Sequence, residues 1–245
     1  MKAKEQWKPS KYIYKKGRLI GSRNKNEVNV GSRLMCDLIA KVYDENVKKF
    51  VKGKLLDLGC GKVPLYIAYK NYIADNICVD WENTLHKNVN IDYFCDLTKK
   101  LPFNDNEFDT VLLSDVLEHI PNPNNIINEI YRVLTKNGNM LLNVPFLYWI
   151  HEEPSDFYRY TEFAIKYLLE NTGFEIIKFE VIGGPIEIIT DILSKNIKHI
   201  PVIGNSLAAF LQWLTLLYTK TKIGRKINRA TSHKFPLGYF VVAEK

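Results

Sequence analysis

A chain of 245 residues with 46% hydrophobic and 25% charged residues is a packed protein of one large domain, or one domain with an appendage, and neither a disordered nor a collagen-like chain. Its net charge of +7 is unevenly spread: residues 1–30 carry +7, residues 31–194 carry −8, and residues 195–235 carry +8 with no acid at all. A uniformly basic nucleic-acid binder does not look like this, although two basic flanks can meet an anionic surface.

In chain order, the first 50 residues read as a basic arm and helical lid. Its opening stretch has basic charge but no apolar run behind it, so it is not a secretory signal. From about residue 54, short β-branched runs alternate with helical stretches, the pattern of an α/β domain with a mostly parallel sheet. Strands are expected at Lys54–Leu58, Asn76–Asp80, around Val89–Phe94, and at Phe108–Leu113. A helix follows Pro123 and is expected to stop at Lys136-Asn137-Gly138, basic residues and then glycine. Further strands are expected at Asn139–Val144, Phe174–Ile182 and Tyr239–Ala243, with a helix between Thr161 and Gly173. Residues 51–182 and 237–245 therefore form one core, interrupted by an insertion over 183–236.

That insertion contains His199–Tyr218, twenty residues without Asp, Glu, Lys or Arg. Pro201, Gly204, Asn205 and Ser206 break its front, leaving a helix near Leu207–Tyr218 of only ~18 Å, too short to cross a bilayer. Leu207, Phe210, Leu211, Leu214 and Tyr218 recur at helical spacing. The first reading of that stripe is a lid, a core helix or a contact between two copies of the chain. Peripheral membrane contact through 207–229 comes second, because the stripe leads into five basic residues between Lys220 and Arg229.

The strongest chemical signal is Leu55-Leu56-Asp57-Leu58-Gly59-Cys60-Gly61, a buried strand ending in an acid and a Gly-x-Gly turn. Glycine lets a ligand approach the backbone, and in a doubly wound sheet this turn lies at the topological switch point. Asp80 ends the second strand, where an acid can bond both hydroxyls of a ribose. Asp96 follows the third strand, where a carboxylate can accept from an adenine amino group. The four cysteines fall at no metal-ligand spacing and are too few for a disulfide scaffold, so no metal site is expected and the reducing cytoplasm is the expected compartment. Position 64 is proline, where a dinucleotide G-x-G-x-x-G turn needs glycine, which disfavours a nicotinamide oxidoreductase.

On LLDLGCG (Leu55–Gly61), the acid of VDWEN (Asp80), CDLTKKLPFNDNEFDTV (Cys95–Val111), LSDVLEHIPNP (Leu113–Pro123) and RVLTKNGNMLLNVP (Arg132–Pro145), the chain resembles class I S-adenosylmethionine-dependent methyltransferases, in the broad group of quinone and small-molecule enzymes. The resemblance implies a Rossmann-like doubly wound sheet of seven strands, the last antiparallel and inserted beside the sixth. It implies S-adenosyl-L-methionine as cofactor. Asp57, Gly59, Cys60 and Gly61 would surround its methionine part, Asp80 with Trp81 its ribose, Asp96 and Leu97 its adenine, and Ser114 would close the pocket.

The segment His151-Glu-Glu-Pro-Ser-Asp-Phe-Tyr-Arg-Tyr-Thr161 mixes a base, three acids, an arginine and three aromatics in one loop. It resembles a His-x-x-Pro-x-Asp-Phe-x-Arg-x-Thr segment of methyltransferases associated with cell-surface polysaccharide synthesis. That implies O-methylation of a sugar, nucleotide-sugar or lipid-linked sugar. His151 is the expected base, Asp156 its orienting partner and His119 a second candidate. Arg159 is expected to bind an acceptor phosphate or to fix the loop, and with Tyr158 and Tyr160 it is expected at the acceptor. A quinone-like acceptor is the alternative within this chemistry, and no nucleic-acid partner is expected.

Overall fold

In a computed structural model the described residues are 1–83 and 89–245. In chain order they form strands β1 (Tyr12–Lys15) and β2 (Arg18–Gly21), helix α1 (Arg33–Phe50), β3 (Lys54–Leu58), α2 (Tyr66–Tyr69), β4 (Asp75–Asp80), β5 (Tyr93–Phe94) and β6 (Phe108–Ser114). There follow α3 (Pro123–Val133), β7 (Leu134–Pro145), α4 (Glu162–Thr172), β8 (Glu175–Ile182), α5 (Pro185–Ile197), α6 (Gly204–Tyr218), α7 (Lys222–Thr231) and β9 (Gly238–Glu244).

Seven strands form one sheet in the order β5-β4-β3-β6-β7-β9-β8, with β9 antiparallel to both its neighbours and the other pairs parallel. This is the expected doubly wound, Rossmann-like architecture. Side chains alternate across the strands, so each central strand feeds two cores. Leu56, Val111, Leu142 and Val241 join α3 and α4 on one face, through Ile126, Ile130 and Ile165. Leu55, Leu112, Leu141 and Phe240 join α1 on the other, through Ile39 and Tyr43. The sequence runs outward from β3 in both directions, to β4 and to β6, so the carboxyl ends of β3 and β6 flank the switch point.

Local signals behave as their chemistry requires. Thr161 caps α4 by accepting from the Ala164 amide at 3.2 Å, and Gly173 ends it at φ 104°. Two boundaries differ from expectation, the first being that β5 is confined to Tyr93–Phe94 instead of starting near Val89. Helix α3 ends at Val133, and Lys136-Asn137-Gly138 lies inside β7. Leu134 already pairs with Phe108, with an irregularity before Thr110, so sheet pairing overrides the apparent helix stop.

The N-terminal arm is more ordered than a basic charge run suggests. β1 and β2 form a hairpin that buries Tyr12 and Leu19, and the Trp7 indole donates to the Val63 carbonyl at 3.1 Å.

Candidate functional site

The turn after β3 is shaped by its glycines. Gly59 has φ +66°, and a Cβ there would stand 2.4 Å from Val116 Cγ2, so a side chain is excluded by both backbone and packing. Gly61 has φ +52°, and its amide donates to Asp80 Oδ2 at 2.7 Å, while Trp81 N donates to Asp80 Oδ1 at 2.7 Å. The end of β4 therefore holds the glycine turn of β3 open.

In front of that turn lies a cavity of about 250 Å³ whose walls include Asp57, Gly59, Cys60, Gly61 and Ser114. Asp57 is buried and accepts from the Tyr69 hydroxyl at 2.9 Å. Burial pushes its carboxyl up to about 7, the Tyr69 bond opposes this, and the neighbouring Asp80 charge adds to it. Cys60 is held as a thiol by its contact with Cys78 and by burial, which suits a small wall residue.

Of the three strand-end acids only Asp57 is a wall of this cavity, and Asp80 is buried behind the turn on the Gly61 and Trp81 amides. Asp57 and Asp80 feel one another across the glycine turn. Asp96 lies on the adjoining strand end, where Cys95 N donates to the Asp80 carbonyl at 2.9 Å. Its carboxylate, however, accepts from Thr98 N at 3.0 Å and Thr98 Oγ1 at 2.7 Å and pairs with Lys99, outside the cavity. Trp81 is half exposed and also outside the cavity, and the Leu97 side chain is in the core.

A second cavity of about 250 Å³ adjoins the first, and Lys11, Glu27, Asp115 and Glu152 belong to the walls of both. Its own walls include Tyr148 and His151. Lys11, from the N-terminal arm, pairs with Asp115 at 3.3 Å across 104 residues of sequence, so the arm roofs both spaces.

Behind the second cavity is a compact ionisable network. His151 Nδ1 lies 3.3 Å from both Asp156 Oδ2 and the Trp149 carbonyl. Both are acceptors, so Nδ1 carries the proton and Nε2 the lone pair in the neutral ring. His151 Nε2 is 3.7 Å from Glu118 Oε1. His119 packs edge-on against the His151 ring at 4.7 Å, and its Nδ1 donates to the Ser155 carbonyl at 2.8 Å.

Glu118 is fully buried, and neither carboxylate oxygen has a hydrogen-bond donor among the described residues. Burial raises its pKa, while His151 pulls it down. Burial disfavours a charged His151, but Glu118 and Asp156 outweigh it, so its pKa is raised. Glu118, His119 and His151 bring one ligand atom each within 4.8 Å, a set able to share a proton or receive a cation.

The structure reassigns the residues expected at the acceptor. The Arg159 guanidinium donates to Asp156 at 2.5 and 2.6 Å and to the carbonyls of Tyr148, Trp149 and Tyr158. These five bonds use all its N–H groups, so Arg159 fixes the loop and has no donor left for an acceptor phosphate. Its guanidinium also holds Asp156 down at about 2. Tyr160 is buried and bonds the Leu117 carbonyl at 3.1 Å, and Tyr158 bonds the Pro121 carbonyl at 2.8 Å. Both tie the His151 loop to the segment after β6. Lys11, Asp115, Tyr148 and the buried Glu118 are the site residues that sequence spacing does not single out.

Residues 56–142 match the family described as "Methyltransferase domain". An uncharacterized protein of Methanocaldococcus jannaschii is 29% identical over 154 residues, covering 58% of this chain and 75% of that one. The fold is similar to an S-adenosylmethionine-dependent methyltransferase from Archaeoglobus fulgidus, with TM-score 0.56, 20% identity, and 92% and 95% of the two chains covered. It is also similar to the [4+2]-cyclase SpnF, with TM-score 0.56, 17% identity, and 86% and 83% covered. A fold shared with a cyclase does not by itself decide the reaction. The domain match over 56–142 together with this fold indicates an S-adenosylmethionine-dependent methyltransferase, with S-adenosyl-L-methionine as its cofactor.

Proposed function

We propose that the enzyme O-methylates a hydroxyl of a sugar, nucleotide-sugar or lipid-linked sugar, as part of polysaccharide assembly on the cytoplasmic side of a membrane. The observation that carries this reading is the pair of adjoining cavities, one walled by Asp57 and the glycine turn and the other by His151. Bound in the first, S-adenosylmethionine supplies an activated methyl group on a cationic sulfur, so the protein's work is alignment and removal of one proton.

Asp57 has the position and charge to pair with the cofactor's ammonium group. Gly59 and Gly61 let the methionine part lie against the backbone, and Ser114 closes that wall. Asp80, whose carboxylate stands beside the glycine turn, would receive the ribose hydroxyls as further donors, and Asp96 with the Leu97 backbone, after β5, is where the adenine would rest. The acceptor hydroxyl would enter the second cavity. His151 Nε2 takes its proton, with Asp156 holding the tautomer and Glu118 stabilising the resulting imidazolium. His119 and Arg159 are positioning residues, because they act on His151 and Asp156 rather than on the acceptor.

The second cavity has polar walls at Lys11, Glu27, Asn29, Ser32 and Asp115 and apolar ones at Val28, Met35, Ile39 and Pro145, and this mixture suits the hydroxyl edge and apolar face of a sugar ring. The test is mass spectrometry of nucleotide-sugars and short glycans incubated with enzyme and S-adenosylmethionine. A product heavier by one methylene, formed by the wild type and not by His151→Ala, is the expected result. Methylation of a quinone but of no sugar would overturn the acceptor assignment.

A further inference from the structure

The helical insertion faces the opposite way from a core helix. In α6 the small and polar residues Gly204, Ala208, Gln212 and Thr215 are buried, whereas Phe210 and Trp213 are 55% and 53% exposed. The first reading of its apolar stripe as core is therefore corrected. The cause is polar: the Gln212 side chain donates to the Val30 carbonyl at 2.8 Å and accepts from Leu34 N at 3.1 Å. The Thr215 and Thr190 hydroxyls bond at 2.7 Å. Rotating α6 to bury its apolar side would carry Gln212 away and leave the buried Val30 carbonyl and Leu34 amide without a partner.

The neighbouring helices also expose apolar residues. α5 exposes Ile189 and Ile192, the connection to α6 exposes Val202 completely, and α7 exposes Ile223. On α7, which follows α6 directly, Lys222, Arg225, Lys226 and Arg229 line an open cleft of about 420 Å³. No Asp or Glu occurs anywhere in residues 195–235 to neutralise them. No helix among the described residues is long and apolar enough to cross a membrane. A second copy docked on this face by a two-fold axis would bring the same cations together, and a polyanion such as RNA would leave the apolar rows unused.

We propose that α5–α7 is a docking surface for an anionic lipid bilayer. The apolar side chains enter the acyl boundary, and the lysines and arginines meet headgroup phosphates. The inner, buried side of α5 packs on the acceptor loop through Lys195. The Lys195 ammonium lies 3.7 Å from the Tyr148 ring centroid and 4.8 Å from that of Trp149, and Lys198 lies 5.5 Å from Trp149. Tyr148 is itself a wall of the second cavity. The same inner side of α5 thus ties the docking helices to a wall of the acceptor cavity, and the docking proposal is independent of the sugar reading.

The experiment is co-sedimentation of the full chain with vesicles of phosphatidylcholine alone or mixed with phosphatidylglycerol. The wild type is expected to pellet with the anionic vesicles and to be released by salt. Arg225→Gln with Arg229→Gln should weaken partitioning by about fivefold per charge removed, and Phe210→Ser with Trp213→Ser by at least about tenfold. Calorimetric binding of S-adenosylmethionine should stay unchanged in both variants, which separates failure of docking from failure of the fold or the methyltransferase reading. Equal or absent binding to both vesicle types, or variants that pellet like the wild type, would overturn the proposal. So would a dimer in light scattering that Phe210→Ser with Trp213→Ser dissolves, or retention of RNA without retention of vesicles.

Discussion

Replacing Asp57 with asparagine should strengthen the fold while weakening cofactor binding. The carboxyl titrates at about 7 in the folded protein, because it is buried beside the Asp80 charge, against about 3.9 in an unfolded chain. Between those values the unfolded state has lost its proton and the folded state has kept it. Stability therefore falls as pH rises, by about 1.4 kcal/mol per unit and roughly 4 kcal/mol in all, and is flat in this group above about 7. The Asp57→Asn variant, with an uncharged amide in that place, has no such cost. Urea unfolding of the cofactor-free proteins at pH values near 4.5 and 8 should show the variant gaining on the wild type by a few kcal/mol at the higher pH only. Cofactor affinity tests the functional half. A cationic ligand that needs the ionised carboxylate should bind about tenfold more weakly per unit of pH below about 7, and the variant should bind weakly at all pH values. A wild-type affinity independent of pH through this window, or a variant that binds like the wild type, would refute both the charge state and the role assigned to Asp57.

Three other substitutions probe separate parts of the site. His151→Ala should lower the rate of methyl transfer by about 10²–10⁴ while leaving S-adenosylmethionine affinity unchanged in calorimetry, because it removes the proton acceptor and not the cofactor wall. Gly59→Ala should lose cofactor binding and destabilise the protein in urea, since its methyl group would meet Val116 at 2.4 Å on a backbone of φ +66°; a well-folded variant that binds normally would contradict the packing argument. Arg159→Lys cannot reproduce five directed bonds, so the urea midpoint should drop by an amount equivalent to about 1.5–3 kcal/mol. Limited proteolysis should then cut first within the His151 loop.

Much of the core was legible because its signals are local. An acid and two glycines at a strand end, alternation along β3, β6 and β7, and a threonine cap before α4 each act over a few residues, so the sequence displays them directly. The order of the sheet follows from the same pattern once strands are joined by helices. What was hidden depended on distant contacts. The Lys11–Asp115 pair joins positions 104 apart in sequence, so nothing near Lys11 marks it as part of a cavity roof. Arg159 reads equally as an anion binder or as a loop brace, and only its five bonds to the loop decide between them. The stripe on α6 was visible, but its direction depended on Gln212 finding Val30 and Leu34, and that long-range polar pairing turns an apparent core helix outward. Asp96 marks the right strand end, while Thr98 two residues on takes its carboxylate, a short-range competition that strand-level reading overlooks.

The most direct test of the two-cavity arrangement is a crystal structure with S-adenosylhomocysteine bound. The arrangement predicts the amino-acid part against Asp57, Gly59 and Gly61, and the sulfur turned toward the wall shared with the cavity of His151. An amino-acid part bound outside the space between Asp57 and Ser114, or a sulfur facing away from His151, would contradict it.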